Sequence, residues 1–333
     1  MTQKLRWAMV GTGFMADLIV PDFKFVDNAQ LVAMVTRSAV GMDAKQAKWG
    51  VNVPVIESLA EAIADPAIDL IYIASPHSEH FRQAKQAIEG GKHVLVEKAM
   101  TMNAAEAREL KRLAEEQGVF LMEEMWSKYN PLLLEVKRRV DSGEIGQLKF
   151  VETNFGFNAP YNAEHRLFKA ELGGGSALDQ GVYTTTIAGM FAGSPITKVE
   201  AKGQLFADGA DASCLITLSY ENGVVANAYS ALNMMLGLEG RLVGTTGRIH
   251  IDAPIFNPDT ATILHFNDQH DAIEEKIHIA KIGTGYTHMI TAVSQAILDG
   301  KLGTEVHPME DAVRIMEVLD EARAQINAAG IAN

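Results

Sequence analysis

Residues 11–16, Gly11-Thr12-Gly13-Phe14-Met15-Ala16, follow a short apolar run, Leu5 to Val10, and open a helix-like stretch, matching the pattern Gly-x-Gly-x-x-Gly/Ala. The first glycine permits a tight turn and the second lets a pyrophosphate approach the backbone. The small Ala16 lets the helix pack on the strand, and the helix N-terminus then presents its N–H groups to the phosphates. Taken alone the motif is only a glycine turn; its place at the head of an alternating strand–helix region points to dinucleotide binding. Twenty residues after Ala16 come Thr36, Arg37 and Ser38, where a carboxylate would be expected if the ribose 2'-hydroxyl of NAD were to be bound. A guanidinium pairs instead with a 2'-phosphate and stacks on adenine, and a neighbouring hydroxyl adds a hydrogen bond. NADP is therefore the expected cofactor, with NAD as the alternative; the bland reading of Arg37 is a cation in a solvated loop.

Three further groups carry reactive types. Ser75-Pro76-His77-Ser78-Glu79-His80 follows the apolar run Leu70 to Ala74, at the edge where doubly wound folds bind ligands. Two histidines suggest a metal, yet nothing nearby completes a ligand set, so a cofactor-lining turn without metal is expected. Glu97-Lys98 ends the run His93 to Val96 on the same edge, where an ammonium beside a nicotinamide would polarise a substrate oxygen; a surface lysine fits equally. Gly173-Gly174-Gly175 precedes a helical stretch carrying Asp179 and Tyr183, four residues apart and so on one face. Asp is a poor helix-interior residue, which invites a functional reason. A flexible linker, local capping and simple packing are the alternatives for the glycines, Asp179 and Tyr183.

The elements that must position these groups fall into two textures. Leu5 to Val10, Leu31 to Val35, Leu70 to Ala74, His93 to Val96 and Val119 to Met122 read as strands buried on both faces. Helical stretches lie between them at 44–49, 58–64, 81–89 and 104–116, the last after Asn103 as N-cap. Such alternation predicts a doubly wound parallel sheet. Pro21 should kink the first helix. Beyond about residue 145 come stretches at 148–157, 197–207, 213–220, 224–232, 240–243, 248–252, 262–267 and 273–279, most of them joined by turn residues such as Asp208-Gly209 and Glu221-Asn222-Gly223. They predict an α+β domain with a large, mostly antiparallel open sheet, with helices at 178–191, 287–298 and 308–329. The expected division is residues 1–123 and 124–333. His265, His270 and His278 fall on these strands or turns as surface or packing residues.

Length and charge bound the rest. A chain of 333 residues suggests about two domains. Lys+Arg 29 against Asp+Glu 42, a net charge of -13, argues against a nucleic-acid surface, and the basic run Lys137-Arg138-Arg139 is too short to overturn that. The lone Cys214 excludes an intramolecular disulfide and a cysteine-rich metal site. With no secretory pattern and no run of about eighteen apolar residues, a cytoplasmic protein is expected.

Taken together, these pieces resemble the glucose-fructose oxidoreductase / inositol dehydrogenase (Gfo/Idh/MocA) family. The likeness rests on the order and spacing of residues 11–16, Ala74-Ser75-Pro76-His77 with His80, Gly91 to Lys98, Met122-Glu123-Glu124-Met125-Trp126 and Leu172 through Tyr183. Glu123 to Trp126 and Arg166-Leu167-Phe168 resemble the dimeric dihydrodiol dehydrogenase branch in particular. The resemblance implies a Rossmann domain followed by a substrate-binding and dimerisation domain, and a homodimer or higher homo-oligomer. It implies Lys98, Asp179 and Tyr183 as catalytic residues, with Tyr183 passing the proton and Lys98 holding the oxygen. Gly11, Gly13, Phe14, Met15, Ala16, Thr36, Arg37, Ser38, Ser75, Pro76, His77, His80, Glu97, Lys98, Trp126 and Arg166 would contact NADP. Lys98, Trp126, Asp179 and Tyr183 would contact the substrate, with Trp126 facing the domain crevice. Ala99 departs from the proline usual after that lysine, and a looser backbone beside Lys98 is expected. The implied activity is NADP-dependent interconversion of a secondary alcohol and a carbonyl on a sugar, polyol or cyclic diol. A non-catalytic, cofactor-sensing protein on the same scaffold is the alternative from another class; a methyltransferase is disfavoured by the long second domain and the Arg37-Ser38 pair.

Overall fold

Strand β1 (Leu5–Val10) is apolar except for Arg6, and Trp7 near its middle is fully buried, as expected of a strand covered on both faces. The computed structural model describes residues 3–266 and 271–330. Asn267 and His270 lie outside the described residues. After β1 the chain forms α1 (Phe14–Ile19), which passes at Pro21 into a 3₁₀ turn over Val20–Phe25. Proline lacks the N–H that a continuing α-helix needs, and here its effect is a change of helix type. There follow β2 (Ala29–Val35), α2 (Met42–Trp49), β3 (Val55–Ile56), α3 (Leu59–Ala64), β4 (Leu70–Ile73), α4 (His77–Glu89), β5 (His93–Glu97), α5 (Ala104–Gln117) and β6 (Leu121–Glu124). Ser58 and Asn103 cap α3 and α5 by accepting from Glu61 N and Glu106 N.

All six strands are parallel, in the order β3-β2-β1-β4-β5-β6. The order reverses between β1 and β4, so the loops leaving those strands part there and open a crevice at their carboxyl ends. Gly11 and Ser75 stand in those two loops.

The next segment starts with α6 (Pro131–Asp141), capped by Asn130, whose side chain accepts from Leu132 N and Leu133 N. Then come β7 (Leu148–Gly156), a π-helical turn (Ala177–Gly181) running into α7 (Val182–Ala192), and β8 (Ile196–Leu205), β9 (Asp211–Tyr220), β10 (Val225–Ala231), β11 (Gly240–Gly244), β12 (Gly247–Ile251), β13 (Thr260–Phe266) and β14 (Ala272–His278). These eight strands form one sheet, β14-β13-β12-β11-β7-β10-β9-β8, antiparallel except for the β7–β10 pair. Burial alternates along the second half of β9 and along β10, as in a sheet covered on one face, and α7 lies against β7 with Thr153 Oγ1 donating to Thr184 O at 2.9 Å. The last helices are α8 (Tyr286–Leu298) and α9 (Met309–Ala329).

The chain forms two compact units. The first comprises residues 1–126 and 282–314, the second residues 127–281 and 315–333. Residues 282–314 thus return to the first unit, which a single cut near residue 123 does not describe. Named bonds hold that return in place. Asp22 is buried and accepts from Thr284 N at 2.9 Å and Thr287 N at 3.1 Å, capping α8 from another segment, while Trp7 Nε1 donates to Ser294 Oγ at 3.0 Å.

Candidate active site

In the first unit, the Gly11–Ala16 segment has the form a dinucleotide requires. Gly11 adopts φ +105°, and a Cβ there would stand 2.4 Å from Ala74 O, so only glycine lets the loop pass the end of β4. Gly13 is the extended N-cap of α1, and a Cβ on it would meet no atom within 4 Å, which leaves backbone N–H groups open to a phosphate. Ala16 is fully buried against the sheet, Met15 is half-buried, and Phe14 is exposed. Thr36 and Ser38 bond to each other at the end of β2, through Ser38 N to Thr36 Oγ1 and Thr36 Oγ1 to Ser38 O, which shapes the turn. Arg37 between them is exposed and enters no ion pair among the described residues. A residue that the motif gave no reason to single out also reaches this loop: Lys45 Nζ on α2 donates to Thr12 O at 2.6 Å.

At β4 and β5 the histidines hold backbone. The Ser75-Pro76 turn leads directly into α4, so His77 and His80 are helical residues, both buried. His77 Nε2 lies 3.0 Å from Lys98 O, His80 Nδ1 3.0 Å from Ala99 O, and His80 Nε2 2.8 Å from Ser75 O. A neutral ring donates through only one nitrogen, and burial, the largest influence on His80, lowers its pKa. The Lys98–Ala99 bond is cis and Ala99 is fully buried. In place of the looser backbone expected without proline, the imidazoles of His77 and His80 lie against two successive carbonyls, those of Lys98 and Ala99. Ser75 Oγ is buried with no hydrogen-bond partner among the described residues, a polar atom suited to a ligand at this turn.

Beneath Lys98 lies a buried acid cluster. Register places Glu97 on β5 opposite Glu124 on β6, and Glu97, Glu123 and Glu124 are all buried. The Tyr72 hydroxyl donates to Glu97 Oε1; Glu123 accepts from Met100 N at 3.0 Å and lies 3.0 Å from His307 Nε2. Neither oxygen of Glu124 has a hydrogen-bond partner among the described residues. Burial pushes the Glu97 carboxyl up to about 7, against the Tyr72 hydrogen bond and the Lys98 charge, which lower it. Burial, then the charge of Glu97, holds Glu124 well above the usual carboxylate range. Two facing carboxyls in a dry site do not both ionise, so the pair keeps a proton.

Glu97 keeps its proton in the folded chain where the unfolded chain has lost it. Its contribution is complete below its ordinary value of 4.5 and is lost as pH rises through about 7. Glu97→Gln, which cannot ionise, is expected to flatten the fall of Tm across that window in a thermal melt series; an unaltered curve would show that Glu97 does not carry it.

Trp126 closes the first unit's set. Its ring stacks on Tyr286 of α8, centroids 4.1 Å apart and planes within 13°.

In the second unit, Arg166, Asp179 and Tyr183 come together. Arg166 opens a 3₁₀ turn, Arg166–Phe168, and its Nη2 lies 3.5 Å from Asp179 Oδ1. Asp179 sits in the π-helical turn, whose wider backbone departs from the α spacing expected for it and is a frequent mark of functional positions. The glycines before it are buried rather than a loose linker. Tyr183 is buried on α7 with its ring centroid 5.9 Å from that of Phe155 and 5.7 Å from that of Phe256, rings that are themselves stacked at 4.6 Å. Gln180 beside Asp179 is fully buried, and its amide has no hydrogen-bond partner among the described residues.

Tyr72, Glu124, Tyr286, Phe155 and Phe256 have no role assigned from sequence, Glu124 entering there only as part of the 122–126 motif. The first two become visible only through strand pairing, the others only through folding back of distant segments. Among the described residues, no group of three or more His, Cys, Asp or Glu is arranged to hold a metal, and no helix is long and apolar enough to cross a membrane.

Residues 5–125 match an oxidoreductase family described by its NAD-binding Rossmann fold, and residues 133–250 match the GFO/IDH/MocA C-terminal domain. The chain is 30% identical to a trans-1,2-dihydrobenzene-1,2-diol dehydrogenase of Xenopus laevis, over 96% of this chain and 98% of that one. It is 28% identical to a D-xylose 1-dehydrogenase (NADP(+)) of Hypocrea jecorina, over 96% and 92%. Its fold matches an aldose-aldose oxidoreductase from Caulobacter crescentus with a TM-score of 0.86 at 22% identity, covering 98% of each chain.

Proposed function

The chain belongs to the GFO/IDH/MocA oxidoreductase family, and from that membership we propose that it interconverts a secondary alcohol and a carbonyl on a sugar, polyol or cyclic dihydrodiol with NADP(H). The observation that carries the cofactor choice is Arg37: an exposed guanidinium without an ion pair among the described residues, flanked by Thr36 and Ser38, at the end of the strand beside the glycine loop. Relatives named for xylose and dihydrobenzenediol support the substrate class.

When bound, the dinucleotide supplies a hydride donor or acceptor. The chain's own residues do the rest. Gly11, Gly13, Phe14, Met15 and Ala16 hold the pyrophosphate by the N–H groups that start α1. Thr36, Arg37 and Ser38 take the 2'-phosphate. Ser75, Pro76, His77, His80, Glu97, Trp126 and Arg166 would complete the contacts to the dinucleotide. Lys98 holds the substrate oxygen, Tyr183 gives or takes its proton, and Asp179 accepts a hydrogen bond from a substrate hydroxyl and so orients the reacting carbon. The first unit is then the cofactor unit and the second the substrate unit. We further assign a cytoplasmic location, with which a chain carrying Cys214 as its one cysteine is compatible, and a homodimer or higher homo-oligomer, as the family resemblance implies.

Hydride transfer tests the reading. NADP or NADPH should be turned over with at least one member of a panel of pyranoses, polyols and dihydrodiols. Arg37→Ala should weaken NADP binding about 10- to 100-fold, the size of one charge-assisted contact, and weaken NAD binding far less, since NAD loses only the stacking on adenine. Tight NADP binding with no turnover across the panel would transfer the assignment to cofactor sensing.

A further inference from the structure

We propose that Asp211 is a positioning residue of the active site: its carboxylate, delivered from the start of β9, fixes the helical segment that carries Asp179 and Tyr183. The proposal rests on the roles given above to those two residues.

The segment lacks a cap of its own. Ser176 precedes the π-helical turn in a helical conformation, and its side chain makes no capping bond to the turn. The first backbone N–H groups of a helix need acceptors from elsewhere. Asp211 Oδ2 provides one, accepting from Ala177 N at 2.7 Å and from Ser176 Oγ at 2.7 Å. Both bonds are buried, and Asp211 itself is 4% exposed. Ser230 on β10 adds a third strand-to-helix tie, its Oγ donating to Ser176 Oγ at 3.2 Å. A carboxylate at this end also meets the positive pole of the helix.

The glycine run makes room for this arrangement. Gly175 adopts φ +108°, and a Cβ there would stand 2.3 Å from Asp211 Oδ1. Gly175 is therefore what lets the carboxylate reach the helix start, which gives the run a purpose other than flexibility. Asp179 lies two residues beyond Ala177 and Tyr183 six, with Asp179 N bonded to Gly175 O at 3.3 Å. A shift at the clamp passes along the helix to both side chains. Burying this carboxyl has a cost, since desolvation, its largest influence, raises its pKa against the Ser176 and Ala177 bonds. A surface cap would stabilise a helix end without that cost; an acceptor set inside the sheet fixes where the end lies.

The test compares Asp211→Ala, Asp211→Asn and Ser176→Ala in the full chain, measuring kcat, KM, NADP Kd and Tm. Asp211→Ala is expected to lower kcat about 100-fold at temperatures well below its own Tm, the scale of a misplacement of about 1 Å. NADP Kd should change far less than kcat, because the glycine loop and Arg37 belong to the other unit and only Arg166, paired with Asp179, links NADP to the clamped segment. Asn keeps an oxygen that accepts both bonds, so Asp211→Asn should recover most of kcat, a rescue that a general loss of stability would not produce. If Asp211→Ala does not fold, Ser176→Ala decides: a fall in kcat of several-fold supports the clamp, and an unchanged kcat overturns it. Folded Asp211→Ala with kcat within threefold of the parent overturns it as well. Should the parent transfer no hydride at all, the oxidoreductase reading fails separately. The clamp is then judged by amide exchange over residues 177–183: faster exchange in Asp211→Ala supports it, and unchanged protection overturns it.

Discussion

Tyr183→Phe is expected to lower kcat by about two to four orders of magnitude, the usual contribution of a positioned proton donor or acceptor, while the NADP Kd stays within twofold. The substitution is sharp because it removes one oxygen and leaves the ring. Phe155 and Phe256 pack around that ring, so the aromatic cluster survives, and Tm should move little. Steady-state kinetics with any substrate found in the panel, beside fluorescence titration of NADPH, would separate the two effects. A change confined to KM would place Tyr183 among binding groups and remove it from the proton path. A kcat within threefold of the parent would overturn its assigned role altogether.

How far the molecule could be read from its residues depends on what each feature needs. The strands β1, β2, β4 and β5 were legible because strands buried on both faces leave short runs of Val, Ile, Leu and Met. β3, two residues long, leaves no such run, and its place in the sheet depends on pairing with Met34 and Val35. The start of α4 was hidden because Ser75-Pro76 reads as a turn, and the structure turns only once before His77 begins the helix. Helix α6 was hidden by the basic run Lys137-Arg138-Arg139. In the structure those side chains pair with Asp141, Glu135 and, for Arg139, Glu275 of β14, which makes the run a solvated helix face. The Asn130-Pro131 start was the signal to read there, a cap followed by a first-turn proline.

The site divides the same way. The place of Arg37 at the end of β2 was within reach because its offset from the glycine loop is fixed by one strand and one helix; its role stays a proposal. The facing of Glu97 and Glu124 was out of reach because it is a matter of register between β5 and β6, which no local pattern states. The return of residues 282–314 was equally silent: the apolar face of α8 announces burial without saying where, and the answer lies in Asp22 and Trp7, more than 260 residues away in sequence.

Lys98→Met carries the second large effect, an expected fall in kcat of about two to three orders of magnitude, the scale of losing one fixed charge at a developing oxyanion. Methionine keeps much of the apolar stem and the backbone stays tied through His77 to Lys98 O, so the loss isolates the ammonium. Arginine is no conservative test here, since its planar fork cannot stand in for a point charge. The same substitution should also be felt by the buried acids. Burial is what raises the Glu97 carboxyl, and the Lys98 charge is among the influences that hold it down to about 7. Without that charge the carboxyl keeps its proton to higher pH, and the loss of stability on raising pH should extend further into the alkaline range in Lys98→Met than in the parent. Combining Lys98→Met with Glu97→Gln should abolish that extension and leave turnover as low as in Lys98→Met alone. If the double variant recovers turnover, the acid cluster and not the ammonium governs the reaction, and the role given to Lys98 falls. If turnover of the single variant stays within tenfold of the parent, it falls more directly.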